Sequence, residues 1–282
     1  MANFKVALVG VGQRGLQHLK ALSDLREEGL ISIQALVDPF EENLKKEKID
    51  SYISNYNEKE IKLFTDYEEM INSVDVDGIW FVIPPNQHKN EIISAAKKGI
   101  AIFAEKPQSL YLDEIFPMAE AIEKNNVPSI CGFQMEYDPW YTKVRSYLEE
   151  KIISSMMMIN CGAVETHGVK HSIINKDEGP QDRIWTADRN WSGTSMVEAG
   201  IHQTDLMRYW ASDEIEWVIS NYVERPESLQ KSQGNNPISY HASFGLKKGG
   251  IANLTLTKPA GVFFMERYDY ILTTNSMIKF ED

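Results

Sequence analysis

The chain has 282 residues, 43% hydrophobic and 25% charged, which suits about two globular domains and argues against wholesale disorder. Its 29 Lys plus Arg against 41 Asp plus Glu give a formal net charge of −12, which disfavours nucleic acid and anionic membrane surfaces as partners. No run approaches the ~18 apolar residues of a membrane span, the N-terminus starts at once as a strand with no secretory pattern, and two cysteines, Cys131 and Cys161, make neither a disulfide framework nor a zinc site.

These features predict a cytoplasmic protein with two buried thiols. The first 130 residues alternate short apolar runs with amphipathic segments, the pattern of βαβ units around a parallel sheet. Residues 4–9 form a near-continuous apolar run, as expected of a strand buried on both faces. Leu16, Leu19, Leu22 and Leu25 then recur at helical spacing. Further strands are predicted at 31–37, 61–64, 78–83, 100–104 and 127–132. Thr65 and Glu68 have capping-box spacing for a helix after the third strand. Pro84 and Pro85 halt the fourth strand, and a helix over 91–98 ends at Gly99 in a left-handed cap.

After Gly132 the pattern changes. A helix near 141–150 leads into longer alternating runs at 152–165, 215–223, 238–246, 251–257 and 263–273, with turn signals such as Lys248-Gly249-Gly250 between them. One long helix, 194–210, interrupts them. Met156, Met157 and Met158 fall in a strand-like run and are expected to fill core. The architecture expected is an α/β Rossmann-type domain with a parallel sheet, residues 1–130, followed by an α+β domain with a large, mostly antiparallel sheet, residues 131–282.

Gly10-Val11-Gly12-Gln13-Arg14-Gly15 fits G-x-G-x-x-G, directly after the first strand and opening the first helix. In that context Gly10 permits the tight turn, Gly12 lets backbone approach a pyrophosphate, and Gly15 lets helix pack on strand. The helix amides, with Gln13 and Arg14 among the first, face the phosphates with a favourable dipole. Asp38 ends the second strand. It reads as the acceptor of adenosine ribose hydroxyls, as the start of the following helix, or as both. Its charge, with no Arg after it, favours NAD over NADP.

Glu198, His202 and Asp205 lie at i, i+4 and i+7, which would share one helix face. An imidazole there can exchange a proton near neutrality, oriented by a carboxylate. Asp205 reads equally as an orienter or as a surface carboxylate. Lys106 follows the fifth strand, at the sheet edge where open α/β folds bind ligands. His167 and His171 near Glu165 look superficially like metal ligands, but Gly168 spoils the spacing and no metal is expected. Trp185, Asp188, Arg189 and Trp191 read as a packed loop before a polyol-lining role.

Four segments resemble the glucose–fructose oxidoreductase / inositol dehydrogenase / rhizopine-catabolism (Gfo/Idh/MocA) family. They are the glycine loop with Asp38, the turn Ile83-Pro84-Pro85-Asn86-Gln87-His88, the Glu105-Lys106-Pro107 signature, and Glu198-Ala199-Gly200-Ile201-His202-Gln203-Thr204-Asp205. The resemblance implies an NAD-dependent dehydrogenase acting on a secondary hydroxyl of a sugar, inositol or related polyol, and an exposed face of the large second sheet would favour pairing into a homo-oligomer. The resemblance also implies cofactor contacts from Pro84, Asn86, His88, Glu105, Lys106 and Gln134, with Lys106, His202 and Glu198 as catalytic residues. His88 reads alternatively as a helix cap. Glu198 stands where the family has Asp, and Ile83 where it has a small or hydroxylic residue. The chain is shorter than family members, so the second domain is expected to be C-terminally shortened. Two rivals keep the fold: an epimerase or glycoside-cleaving enzyme using tightly bound NAD transiently, and a non-catalytic NAD-binding regulator.

Overall fold

The computed structural model describes residues 4–53, 56–57, 59–161, 188–258 and 266–281. The chain divides into two compact units, Met1–Gly132 and Phe133–Asp282.

The first unit is built on strands β1 (Phe4–Val9), β2 (Ile31–Val37), β3 (Lys62–Phe64), β4 (Gly78–Phe81), β5 (Ala101–Ala104) and β6 (Ser129–Cys131). Its helices are α1 (Gln13–Glu27), α2 (Lys46–Ile49), α3 (Tyr67–Ser73), α4 (Glu91–Lys97) and α5 (Leu112–Asn125). The strands run parallel in the order β3-β2-β1-β4-β5-β6. That order reverses direction between β1 and β4, so the crevice for a ligand opens at the carboxyl end of β1. Alternate residues explain the uninterrupted apolar run of β1. Val6 and Leu8 pack with Leu16, Leu19 and Leu22 of α1 on one face. Ala7 and Val9 pack with Met70, Ile79, Ile92 and Met118 on the other.

Local chemistry sets the boundaries. The α3 cap is Asp66, whose Oδ1 accepts from the Glu69 amide at 2.8 Å, not the expected Thr65–Glu68 pair. A carboxylate one residue later competes better for that amide at the positive helix end. Gly99 adopts φ +73° and closes α4 as expected. The Ile100 amide is spent on the Ala95 carbonyl in that cap, so β5 starts one residue later than predicted. Cys131 is half-buried, not buried, because β6 is the sheet edge.

In the second unit α6 (Pro139–Leu148) precedes β7 (Ile153–Cys161), followed by α7 (Arg189–Ser192), α8 (Ser195–Glu198) and α9 (Ile201–Ala211). Then come β8 (Ile215–Val223), α10 (Glu227–Gln233), β9 (Ser239–Leu246), β10 (Ile251–Thr257), β11 (Glu266–Thr273) and β12 (Met277–Glu281). The sheet order is β12-β11-β7-β10-β9-β8, antiparallel except for the β7–β10 pair. One face carries the core: Met156, Met158, Ala242, Phe244, Leu254 and Ile271 against Tyr141, Leu206, Met207 and Trp210 of the helices. Met157 points the other way and is 41% exposed, correcting the expectation that all three methionines fill core.

The predicted helix 194–210 is two helices. At the break the Gly200 amide bonds the Ser195 carbonyl, five residues back, and the His202 amide bonds Ala199, three back. A Cβ on Gly200 would lie 2.6 Å from the Met196 carbonyl oxygen, so only glycine permits this close kink. The shared-face argument therefore survives for His202 and Asp205 on α9 but not for Glu198 on α8.

Candidate functional site

The glycine turn divides its labour by sterics. Gly10 has φ +93°, and a Cβ there would lie 2.2 Å from the Val82 carbonyl oxygen. A Cβ on Gly15 would lie 1.9 Å from the Gly10 carbonyl oxygen. A Cβ on Gly12 would meet nothing within 4 Å. Gly10 and Gly15 are thus demanded by the fold, whereas Gly12 borders open space. Gly12 caps α1 without a side chain, and the first turn of α1 holds no acidic residue. Its leading amides present a positive end suited to a pyrophosphate.

Asp38 is buried at the end of β2. Its Oδ2 accepts from the Val11 amide at 2.8 Å, inside the glycine turn. Its Oδ1 accepts from the Phe40 amide and from Asn43 Nδ2, both at 3.0 Å. The carboxylate thus ties the turn to the segment after β2. It does not cap a helix, since the next helical turn, Glu41–Leu44, is flanked by Phe40. Oδ2 keeps a lone pair for a ribose hydroxyl.

A buried ionic node lies beside the turn. Glu105 Oε1 accepts from Arg14 Nε at 2.8 Å and sits 3.0 Å from His18 Nε2, while Oε2 accepts from the Lys106 amide at 2.9 Å. Burial works to raise the Glu105 carboxyl, but the bonds and charges of His18 and Arg14 outweigh it and hold it down at about 2. Glu105 is therefore a fixed anion, held in part by Arg14. His18 was not singled out in the sequence. Its signal was there: Arg14 and His18 are four apart on α1 and share a face. Lys106 is half-buried, and the Lys106–Pro107 peptide is cis.

After β4, the Gln87 amide closes a turn onto the Pro84 carbonyl at 2.9 Å. Buried Asn86 Oδ1 and both ring nitrogens of His88 have no hydrogen-bond partner among the described residues. Burial lowers the His88 pKa to about 4, so the ring is neutral at pH 7. It does not cap α4, whose flanking residue is Asn90. These orphaned atoms, the opening over Gly12 and the Asp38 lone pair fit the polar groups of a dinucleotide.

In the second unit, His202 on α9 meets the Phe133 ring edge-on, centroids 6.4 Å apart. Glu198 Oε2 on α8 lies 3.9 Å from Lys258 Nζ, a residue with no local sequence signal. Asp205 is buried; burial, then the Glu136 charge, pushes its carboxyl up to about 6 against the pull of Arg208. Gln134 is exposed at the start of a 3-10 turn. Asp188 caps α7 at the Asn190 amide, 2.9 Å, and Arg189 pairs with Glu224 at 2.9 Å, which is the packed-loop reading. His167, His171, Glu165 and Trp185 lie outside the described residues. Among the described residues no group of three or more His, Cys, Asp or Glu could hold a metal, and no helix is long and apolar enough to cross a membrane.

Comparison with known proteins locates this arrangement. Residues 4–133 match the model of the Gfo/Idh/MocA oxidoreductase family, NAD-binding Rossmann fold. The rhizopine catabolism protein MocA of Rhizobium meliloti is 24% identical over 214 residues, 76% of this chain and 59% of that protein. The myo-inositol 2-dehydrogenase of Thermotoga maritima is 24% identical over 217 residues, 77% of this chain and 58% of the relative. This chain thus spans under three fifths of the length of either. The scyllo-inositol dehydrogenase of Lactobacillus casei, solved with NAD(H) and scyllo-inositol, shares the fold with a TM-score of 0.76 at 19% identity, over 99% of this chain and 76% of that one. The WlbA dehydrogenase of Bordetella pertussis, solved with NADH and UDP-GlcNAcA, does so at 0.80 and 15%, over 99% and 78%. Over residues 4–133 the chain thus resembles the NAD-binding Rossmann domain of the Gfo/Idh/MocA oxidoreductase family.

Proposed function

We propose that the protein is an NAD-dependent oxidoreductase acting on a secondary hydroxyl of an inositol, sugar or related polyol. The observation that supports it most is the glycine turn, where sterics demand Gly10 and Gly15 while the space over Gly12 stays open. The relatives named for inositol and solved with NAD(H) support the substrate class by likeness. NAD, when bound, supplies the hydride acceptor.

This chain's own residues would do the rest. The amides opening α1 hold the pyrophosphate, and Asp38 holds the adenosine ribose and repels a 2′-phosphate. Glu105, fixed as an anion, accepts from the nicotinamide ribose with help from Asn86 and His88. Lys106 polarises the substrate hydroxyl, His202 takes up its proton, and Glu198 positions the substrate or the imidazole. Gln134 lies near the same group in this reading. Among the described residues, one face of the second sheet exposes Met157, Ile159, Trp217, Ile219, Val223 and Ile251. Such a surface suits pairing with a second copy in a cytoplasmic homo-oligomer.

The test is formation of reduced cofactor, read by absorbance, over a panel of inositols and sugars with NAD and with NADP. Turnover with NAD on at least one polyol is expected. His202→Ala is expected to lower turnover by roughly 10²–10⁴-fold with NAD affinity unchanged. Unaltered turnover would remove His202 from the chemistry, and no turnover on any substrate would remove the oxidoreductase reading.

A further inference from the structure

We propose that Glu136 and Asp205 form a binding site for a primary ammonium group, at a cavity of about 430 Å³ in the second unit. The site does not rest on the redox reading above.

The charged groups lining that cavity are Glu136, Asp205, Asp213, Glu214, Arg145 and Arg208. Most are already engaged. Arg208 grips Glu214 with two bonds, Nε to Oε2 and Nη2 to Oε1, both 2.8 Å. Asp213 accepts the Glu214 and Lys248 amides, both at 2.8 Å. Arg145 donates to the Tyr209 carbonyl and lies over the Tyr209 ring, 4.5 Å from its centroid. Two carboxylates remain. Neither the Asp205 nor the Glu136 side chain accepts a hydrogen bond among the described residues, although Asp205 is only 7% exposed. A carboxylate on a residue only 7% exposed, accepting no hydrogen bond there and lying beside the charge of Glu136, is costly unless something supplies donors and charge beyond that of Arg208.

The missing partner is a cation with several N–H donors. An ammonium has three and no acceptor, matching two acceptor-only groups. A metal ion fits poorly: no group of three or more His, Cys, Asp or Glu stands ready among the described residues, and hard cations take six or more oxygens. The cavity volume admits a short diamine or an amino sugar. The raised Asp205 carboxyl accords with an incomplete charge balance, since burial and Glu136 disfavour its ionisation more than Arg208 favours it.

The probes are putrescine and glucosamine, titrated calorimetrically into the full chain, with 1,4-butanediol and N-acetylglucosamine as neutral counterparts. At least one amine is expected to bind where its counterpart does not, more weakly below the Asp205 transition near pH 6. Asp205→Asn or Glu136→Gln is expected to weaken it at least about tenfold, the scale of a charge-assisted hydrogen bond. Asp205→Asn removes a buried charge and should melt no lower than the parent; Glu136→Gln, on a half-buried turn, is the second readout. Amines binding no better than the neutral compounds, or binding both variants as tightly as the parent, would overturn the proposal.

Discussion

The two sheets obey different rules. In the first unit β1 is apolar at nearly every position because helices cover both faces, and Val6, Ala7, Leu8 and Val9 are all buried. In the second unit β10 alternates, with Ala252, Leu254 and Leu256 inward and Ile251, Asn253 and Thr255 outward. A sheet closed on both sides leaves only its strand ends for chemistry, and there the glycine turn, Asp38 and Glu105 collect. The second sheet, packed against helices on one face, leaves apolar side chains of its other face exposed among the described residues. Its inner layer carries α9, with His202 and Asp205.

Perturbing each sheet at its own weak point sharpens that contrast. The largest effect is expected where backbone packs on backbone: Gly15→Ala would place a methyl 1.9 Å from the Gly10 carbonyl oxygen. It should cost about 3 kcal/mol, the upper end of overpacking, and abolish NAD binding. Urea denaturation checks the first and cofactor titration the second, and a fully stable variant would refute the steric account.

Next comes the Glu105 node. Its folded carboxyl lies at about 2, against an ordinary 4.5. The anion therefore contributes stability that is complete above pH 4.5 and drains away as pH falls through about 2. The full shift corresponds to about 3 kcal/mol. Glu105→Gln should be less stable than the parent at neutral pH and nearly level with it at the acid end, by urea midpoints. Parallel pH profiles would count against the node.

The smallest change in fold stability is expected on the outer face of the second sheet. Ile219 is 66% exposed on edge strand β8. Ile219→Lys should alter unfolding by no more than about 0.5 kcal/mol, yet reduce the mass seen in sedimentation. A mass equal to the parent's would remove that face from the proposed oligomer.

The same contrast explains what could be read from residues alone. Strands 4–9, 31–37, 215–223 and 251–257 match the structure to the residue, because each apolar or alternating run stops abruptly at a glycine or a charged residue, Gly10, Asp38, Glu224 and Lys258. The breaks were less legible. Periodicity continues through Gly200, where close approach of the Met196 carbonyl splits one expected helix into two. The α3 cap moved from Thr65 to Asp66 because hydrogen-bond competition carries no periodic signal. Of the candidate site, the glycine turn was legible because its geometry is local. The bond from Arg14 to Glu105, 91 residues away, has no local pattern. Lys258 opposite Glu198 has no local pattern for the same reason.

The most direct test of the glycine turn as a dinucleotide seat is NAD titration of Gly12→Ala. The added methyl meets no protein atom within 4 Å, so the variant should unfold like the parent while its methyl intrudes where the pyrophosphate sits. NAD affinity at least about tenfold weaker, a loss of about 1.4 kcal/mol, with unchanged stability, is the predicted result. Unchanged affinity in a variant that folds normally would contradict the account.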